Sequence, residues 1–306
     1  MGVSAFPVMD VDLPTGIHRR RPLPNPHFGV LWDSIIIEEK TKSLLVSQAM
    51  LNFTVRANVS RNVLPLHGVI LLVGVPGTGK TSLARGVAHR TAESFPTGSF
   101  TLLEVEPHSL TSSAMGKTQR AVSDLFSQSI AEAATEGPTI VLLDEVETLA
   151  ADRTKMSFES NPVDIHRATD AVLVQLDALA DRFPQLLFLA TSNFPEAVDS
   201  AFTSRCDLIV QIPLPDREAC GKILTDCFSG LAMTYPNFKK LIGTAGFNRC
   251  AEGCVGLDGR AIRKMVANAM ASTPQTALDP NKVTIEHLLS SVRAAKESRG
   301  KGMKFP

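Results

Sequence analysis

Val69-Ile70-Leu71-Leu72-Val73 runs straight into Gly74-Val75-Pro76-Gly77-Thr78-Gly79-Lys80-Thr81-Ser82, and this stretch decides how the rest of the chain is read. Five consecutive apolar residues predict a strand buried on both faces, as in the interior of a parallel sheet. The eight residues from Gly74 to Thr81 match G-x-x-x-x-G-K-[ST] in full. Gly74, Gly77 and Gly79 let the loop turn successive backbone N–H groups toward phosphate oxygens, with Val75, Pro76 and Thr78 between them. The following helix presents its positive end to the same anion. Lys80 is expected to reach the β- and γ-phosphates of ATP. Thr81 is expected to place its hydroxyl on Mg2+, with Ser82 counted in the same binding set. A chance match in a loop would lack the strand before it and the helix after it.

Working outward, short apolar runs at 101–105, 139–143, 186–190 and 208–212 repeat the strand signature, separated by intervals long enough for helices. That alternation predicts an α/β fold, a parallel sheet flanked by helices. After Pro213-Leu214-Pro215 the strand signals stop, and helical patterns cover roughly 216–231, 237–252, 258–272 and 284–298. The expected organisation is a large nucleotide-binding domain over 28–214 and a small all-helical domain over 215–306. Residues 1–27 carry five prolines and the basic run His18-Arg19-Arg20-Arg21 without apolar periodicity, which predicts an extended or flexible leader.

Composition narrows the function. The 306 residues hold 31 Lys plus Arg against 31 Asp plus Glu, so no global basic field recruits nucleic acid. No run of 18 apolar residues and no signal-peptide order at the start are found, which predicts a cytoplasmic protein without a membrane partner. Cys250 and Cys254 are spaced C-x3-C with no matching Cys/His pair nearby, so the five cysteines are expected to be reduced structural thiols.

Further motifs supply catalytic candidates. Ile140-Val141-Leu142-Leu143 delivers Asp144 and Glu145 at a strand end, where Asp144 is expected to hold Mg2+ and Glu145 to orient or polarise the attacking water. Leu186 to Asn193 is a second buried strand ending in a polar amide, which predicts Asn193 as a sensor of the γ-phosphate and the lytic water; a turn-closing Asn before Pro195 is the plainer alternative. Arg205, after a short helix and before the last strand, is the candidate for an arginine acting on a neighbouring subunit's γ-phosphate, against a surface Arg at a helix end. Arg260 opens a helix whose expected N-cap is Asp258. A cation there opposes the helix dipole, which favours a role toward the nucleotide, with Arg263 the weaker candidate.

Together the two acidic and glycine-rich motifs, Thr191-Ser192-Asn193, Ala201-Phe202-Thr203-Ser204-Arg205-Cys206-Asp207 and Gly256-Leu257-Asp258-Gly259-Arg260 resemble the AAA+ superfamily. Asn25 to Ser34, His108-Ser109-Leu110 and Leu143-Asp144-Glu145-Val146-Glu147 add a resemblance to its pachytene-checkpoint (thyroid-receptor-interacting) branch, which remodels HORMA-domain proteins. The resemblance implies a homo-hexameric ring that draws a disordered segment of a HORMA client into its pore, with Arg205 acting between subunits. The short leader is similar to compact bacterial members that accompany HORMA-like proteins and cGAS-like nucleotidyltransferases in antiphage signalling. Where the family has an aromatic pore-loop residue, this chain has Ala114-Met115-Gly116, so Met115 is the expected grip, against an ordinary core or surface Met. An AAA+ loader acting on nucleic acid and the ATPase cap of a protease are the competing readings.

Overall fold

The apolar runs become strands where their composition predicts them. In the computed structural model, which describes residues 13–95, 98–107, 110, 117–151 and 162–300, six strands form one sheet. They are β1 (Ile17–Leu23), β2 (Val69–Val73), β3 (Phe100–Val105), β4 (Thr139–Leu143), β5 (Leu186–Ser192) and β6 (Leu208–Gln211), in the order β1-β3-β4-β5-β2-β6. Every residue of β2, β4 and β5 is buried, as strands inside a sheet are, including the polar Thr139, Thr191 and Ser192. β4 pairs in parallel with β3 and β5, and its last residue, Leu143, lies opposite Val105 on one side and Ala190 on the other. That register sets the Asp144-Glu145 pair level with the polar end of β5.

Helices α1 (Pro26–Ser34), α2 (Glu39–Val55), α3 (Lys80–Glu93), α4 (Lys117–Asp124), α5 (Ala131–Glu136), α6 (Pro162–Arg182) and α7 (Ser200–Thr203) fall between the strands. After β6 come α8 (Arg217–Ala232), α9 (Asn237–Leu241), α10 (Ala245–Cys254), α11 (Gly259–Met270), α12 (Pro274–Leu278) and α13 (Ile285–Gly300). No strand follows β6 among the described residues, in keeping with the helical segment expected there.

Within the leader expected to be extended or flexible over 1–27, of which 1–12 lie outside the described residues, Ile17–Leu23 is the edge strand β1, antiparallel to β3, so this part is ordered and not flexible. The sheet is therefore mixed. Ile17 and Leu23 are buried while most of the basic run faces outward. Arg20 pairs with Glu136, and Arg21 approaches Glu104 at 3.9 Å. A like-charge run conceals a strand when the acids that neutralise it lie far along the chain.

The described residues gather into two compact units. The first comprises 13–26, 45–72 and 87–209, and the second 27–44, 73–86 and 210–300. Residues 27–44 and the glycine loop thus group with the helical segment, a division different from a single cut near 214. The first unit packs around the sheet, where Phe126 stacks on Phe188 at 5.9 Å. In the second, Phe228 meets Phe238 and Phe247 edge-on at 5.2 and 5.5 Å, within a core shared by Cys220, Cys250, Cys254, Leu288 and Val292.

Two details of the helical segment differ from the expected pattern. The stretch read as one helix over 237–252 is broken after α9, where Gly243 at φ +77° turns the chain and Thr244 caps α10 by accepting from Phe247 N–H at 3.1 Å. The short α12 is an addition, started by a Thr273–Thr276 capping box. All five cysteines are free thiols, and burial pushes Cys254 up to about 12 and Cys250 up to about 11, as structural thiols behave.

Candidate functional site

The glycine loop belongs to the second unit. Gly77 (φ +86°) and Gly79 (φ +90°) occupy left-handed backbone that side chains rarely adopt. Space excludes a side chain as well: a Cβ at 77 would lie 2.2 Å from an Asp258 carboxylate oxygen, and one at 79 would lie 2.5 Å from Ile35 Cδ1. Val75 is exposed on the loop, and the Thr78 hydroxyl donates to its carbonyl at 3.0 Å. Lys80 starts α3 and is only 6% exposed; its ammonium donates to the carbonyls of Gly74 at 2.7 Å and Val75 at 3.1 Å. A buried cation gripped by its own loop, beside a helix N-terminus, is chemistry suited to a polyphosphate. Thr81 and Ser82 occupy the next two positions of α3.

The helical segment meets this loop through the start of α11. Asp258 caps α11, accepting from Ala261 N–H at 2.8 Å, and takes the Arg299 guanidinium at 2.7 Å. The Arg260 N–H donates to the Gly77 carbonyl at 3.3 Å, while its side chain is exposed. Arg263 donates to the Ser34 carbonyl at 3.4 Å. Ile35, against Gly79, and Ile36, against the helical core, make the segment after α1 part of the loop's surroundings.

The acidic end of β4 belongs to the first unit. Glu145 is the one non-glycine residue with positive φ among the described residues, at φ 54° and ψ 55°. Such backbone costs roughly 1–3 kcal/mol and persists where surrounding bonds impose it. The bonds here are explicit. Glu145 N–H donates to the Thr191 hydroxyl at 3.1 Å, and that hydroxyl donates to Asp144 Oδ1. The Asn193 side-chain amide donates to Glu145 Oε1 at 2.9 Å, and the Asn193 backbone N–H donates to Glu147 Oε1 at 3.0 Å. A carboxylate held this way can accept a proton from water while the amide keeps it aimed.

Arg205 is firmly held. Its Nε and one terminal nitrogen donate to both oxygens of Asp177 on α6, at 3.0 and 2.7 Å, and the other terminal nitrogen donates to the Ala201 carbonyl at 2.8 Å. The Arg205 guanidinium holds the Asp177 carboxyl below the usual carboxylate range, and that hydrogen-bonded carboxylate raises the arginine's own pKa in turn. His67 also faces Asp177, at 3.5 Å, and burial lowers its pKa.

Residues 70–214 match the family described as "ATPase family associated with various cellular activities (AAA)". The chain is 67% identical to "CD-NTase-associated protein 6" of Pseudomonas aeruginosa, covering 97% of this chain and 98% of that one. It is 34% identical to "Pachytene checkpoint protein 2 homolog" of Xenopus tropicalis, covering 89% and 67% respectively. The chain belongs to the pachytene-checkpoint branch of the AAA ATPases. Among solved structures, C. elegans PCH-2 matches with a TM-score of 0.74 at 25% identity, over 95% of this chain and 78% of that one. The chain of "Structure of E. coli MS115-1 HORMA:CdnC:Trip13 complex" shares the fold, with a TM-score of 0.73 at 18% identity over 90% and 94%.

As an AAA ATPase the chain binds ATP and hydrolyses it. Within its first unit the structure joins Asp144, Glu145 and Asn193; within the second it joins the loop, Lys80 and the backbone of Arg260. Arg205 is bound to Asp177 of its own chain. The pore-loop residues Ala114, Met115 and Gly116 lie outside the described residues. Sequence reasoning passed over the parts played by Thr191, Asp177 and Glu147. For Glu147 a signal existed, a third acid two residues beyond Glu145.

Mg2+ takes hard oxygen ligands and is usually shared between one or two carboxylates and substrate phosphates. Thr81, in the second unit, carries a hydroxyl of that kind, and Asp144, in the first, a carboxylate. No cluster of three or more His, Cys, Asp or Glu side chains suited to a metal occurs among the described residues.

Proposed function

We propose that this AAA ATPase is a ring-forming remodeller that partly unfolds HORMA-domain clients and so disassembles signalling complexes of a cGAS-like nucleotidyltransferase in bacterial antiphage defence. The observation that carries this reading is the near end-to-end match, at 67% identity, to a protein named for its association with a CD-NTase. In this reading the backbone of Gly74 to Gly79, with Lys80, Thr81 and Ser82, holds the phosphates. Thr81 and Asp144 hold Mg2+, which neutralises phosphate charge when bound. Glu145 orients the attacking water and accepts its proton, Asn193 keeps Glu145 aimed, and Arg260 follows the nucleotide from the helical segment.

Arg205 serves the ATP of the next subunit in a homo-hexamer, which requires it to exchange Asp177 for that phosphate. Ala114, Met115 and Gly116 supply the grip on the client. The work is cytoplasmic; no described helix is long and apolar enough to cross a membrane. The nucleic-acid loader reading loses its support in the basic run, since Arg20 and Arg21 face Glu136 and Glu104.

The test is capture by a stalled ring. Glu145→Gln should bind ATP, fail to turn it over and retain a HORMA-domain protein from native lysate, identified by mass spectrometry. Lys80→Ala, unable to hold ATP, should retain none. Recovery of nucleic acid or a protease in place of a HORMA protein would overturn the client and leave the ATPase.

A further inference from the structure

We propose that Glu147 is a positioning residue for ATP hydrolysis, fixing the backbone of Asn193 and, through Asn193, the carboxylate of Glu145. The proposal rests on the reading of Glu145 and Asn193 as the hydrolytic pair.

Register shows why such a residue is needed. The β4–β5 ladder ends with Leu143 opposite Ala190, and β5 itself ends at Ser192. Asn193 lies one residue beyond the strand, before an exposed Phe194 and a proline. Its backbone N–H is taken by Glu147 Oε1 at 3.0 Å, and its side-chain amide by Glu145 Oε1 at 2.9 Å. Asn193 is thus suspended between two carboxylates by two different atoms, so a shift of its backbone would carry the amide away from Glu145.

Glu147 can serve as an anchor because its own turn is held in place. It occupies a short 3-10 turn, Val146–Thr148, closed by Thr148 N–H to Glu145 O at 3.0 Å and Ala150 N–H to Val146 O at 2.8 Å. Leu149 and Ala150, just after the turn, are buried, and the Leu149 carbonyl accepts from the Thr169 hydroxyl at 3.3 Å.

The second carboxylate oxygen supplies an independent argument. Glu147 Oε2 is buried and has no hydrogen-bond partner among the described residues. A carboxylate oxygen shut from water without a donor among the described residues is a cost to the fold, against which the bond to Asn193 N–H is set. Local rules are broken in this way where function demands it. Orienting partners one step behind the reacting groups typically change activity by roughly 10–100-fold when removed.

The full-length wild type is compared with Glu147→Ala, Glu147→Gln, Asn193→Ala and the Glu147→Ala/Asn193→Ala pair, measuring kcat, KM for ATP and the thermal midpoint without nucleotide. Glu147→Ala should lower kcat roughly 10–100-fold, with KM within about twofold and a midpoint no lower than wild type. Glu147→Gln should restore most of the rate, since its amide oxygen can still accept from Asn193 N–H. The double variant should be no slower than Asn193→Ala alone, because both changes break one chain of contacts.

Wild-type kcat in Glu147→Ala beside a slow Asn193→Ala would overturn the role of Glu147 while leaving the hydrolytic pair intact. So would a fall in kcat that multiplies with that of Asn193→Ala, or one accompanied by a lower midpoint. Wild-type kcat in Asn193→Ala would overturn the hydrolytic pair itself, and this proposal with it. If Ala at 147 prevents folding, Glu147→Asp carries the same expectation, its shorter arm falling short of Asn193 N–H.

Discussion

The starts of the helices beyond β6 and the turn beyond β4 treat the backbone in opposite ways. Asp216, Thr244, Asp258 and Thr273 each accept from a backbone N–H three residues on, giving α8, α10, α11 and α12 a side-chain cap. At the end of β4, by contrast, Glu145 sits in left-handed backbone and Glu147 keeps a buried oxygen without a donor among the described residues. One region spends its polar groups on its own stability. The other holds them in costly arrangements, which is what chemistry on a bound substrate requires. The contrast predicts that substitutions in the first region reduce stability, whereas those around the second reduce turnover.

The largest effect is expected at Arg205. Acting on a neighbour's ATP, it should leave Arg205→Ala slower on the order of 10³-fold, with activity recovered in rings mixed with Glu145→Gln subunits, whose arginine is intact. A steady-state ATPase assay of such mixtures decides the matter; absence of recovery would confine the arginine to its own subunit, with Asp177. On the other side of the comparison, Phe228→Ala removes the ring shared by Phe238 and Phe247 and should cost roughly 3–5 kcal/mol, read from the urea midpoint. Thr244→Ala should cost about 1 kcal/mol in the same assay and leave kcat unchanged. A turnover defect in Thr244→Ala would blur the division between the two regions.

The most graded effect is one of pH. Burial carries the Cys254 thiol to about 12, whereas an unfolded cysteine ionises near about 8.5. The folded state therefore holds that proton more tightly. The stability this group contributes is complete below the unfolded value and declines as pH rises toward the folded one. The urea midpoint should be lower at about pH 10 than at about pH 8, and alkylation of the thiol in the folded protein should be slow at the lower pH. Equal midpoints would show that the cysteines of the helical core are not the protonated thiols their burial implies.

The sheet was legible because buried strands announce themselves by composition: 69–73, 140–143 and the apolar part of β5 are unbroken apolar runs, and Asp144-Glu145 followed directly from one of them. The glycine loop was legible because its backbone demands residues of one type at fixed spacing. β1 was not, since His18 to Arg21 reads as a solvated charge run until Glu104 and Glu136 are brought beside it. Nor was the grip on Arg205, because Asp177 lies on a long amphipathic helix whose pattern gives no sign of which acid will meet an arginine. Side-chain partnerships between distant segments depend on register and packing, and neither local propensity nor a motif encodes them.

Asp258 caps α11, receives Arg299 from α13 and fills the space that a side chain at position 77 would need. The aspartate thus couples these three positions. A side chain at 77 would have to displace the aspartate, whereas loss of the aspartate would leave Arg299 its bond to the Gly256 carbonyl, so the coupling binds position 77 more tightly than position 299.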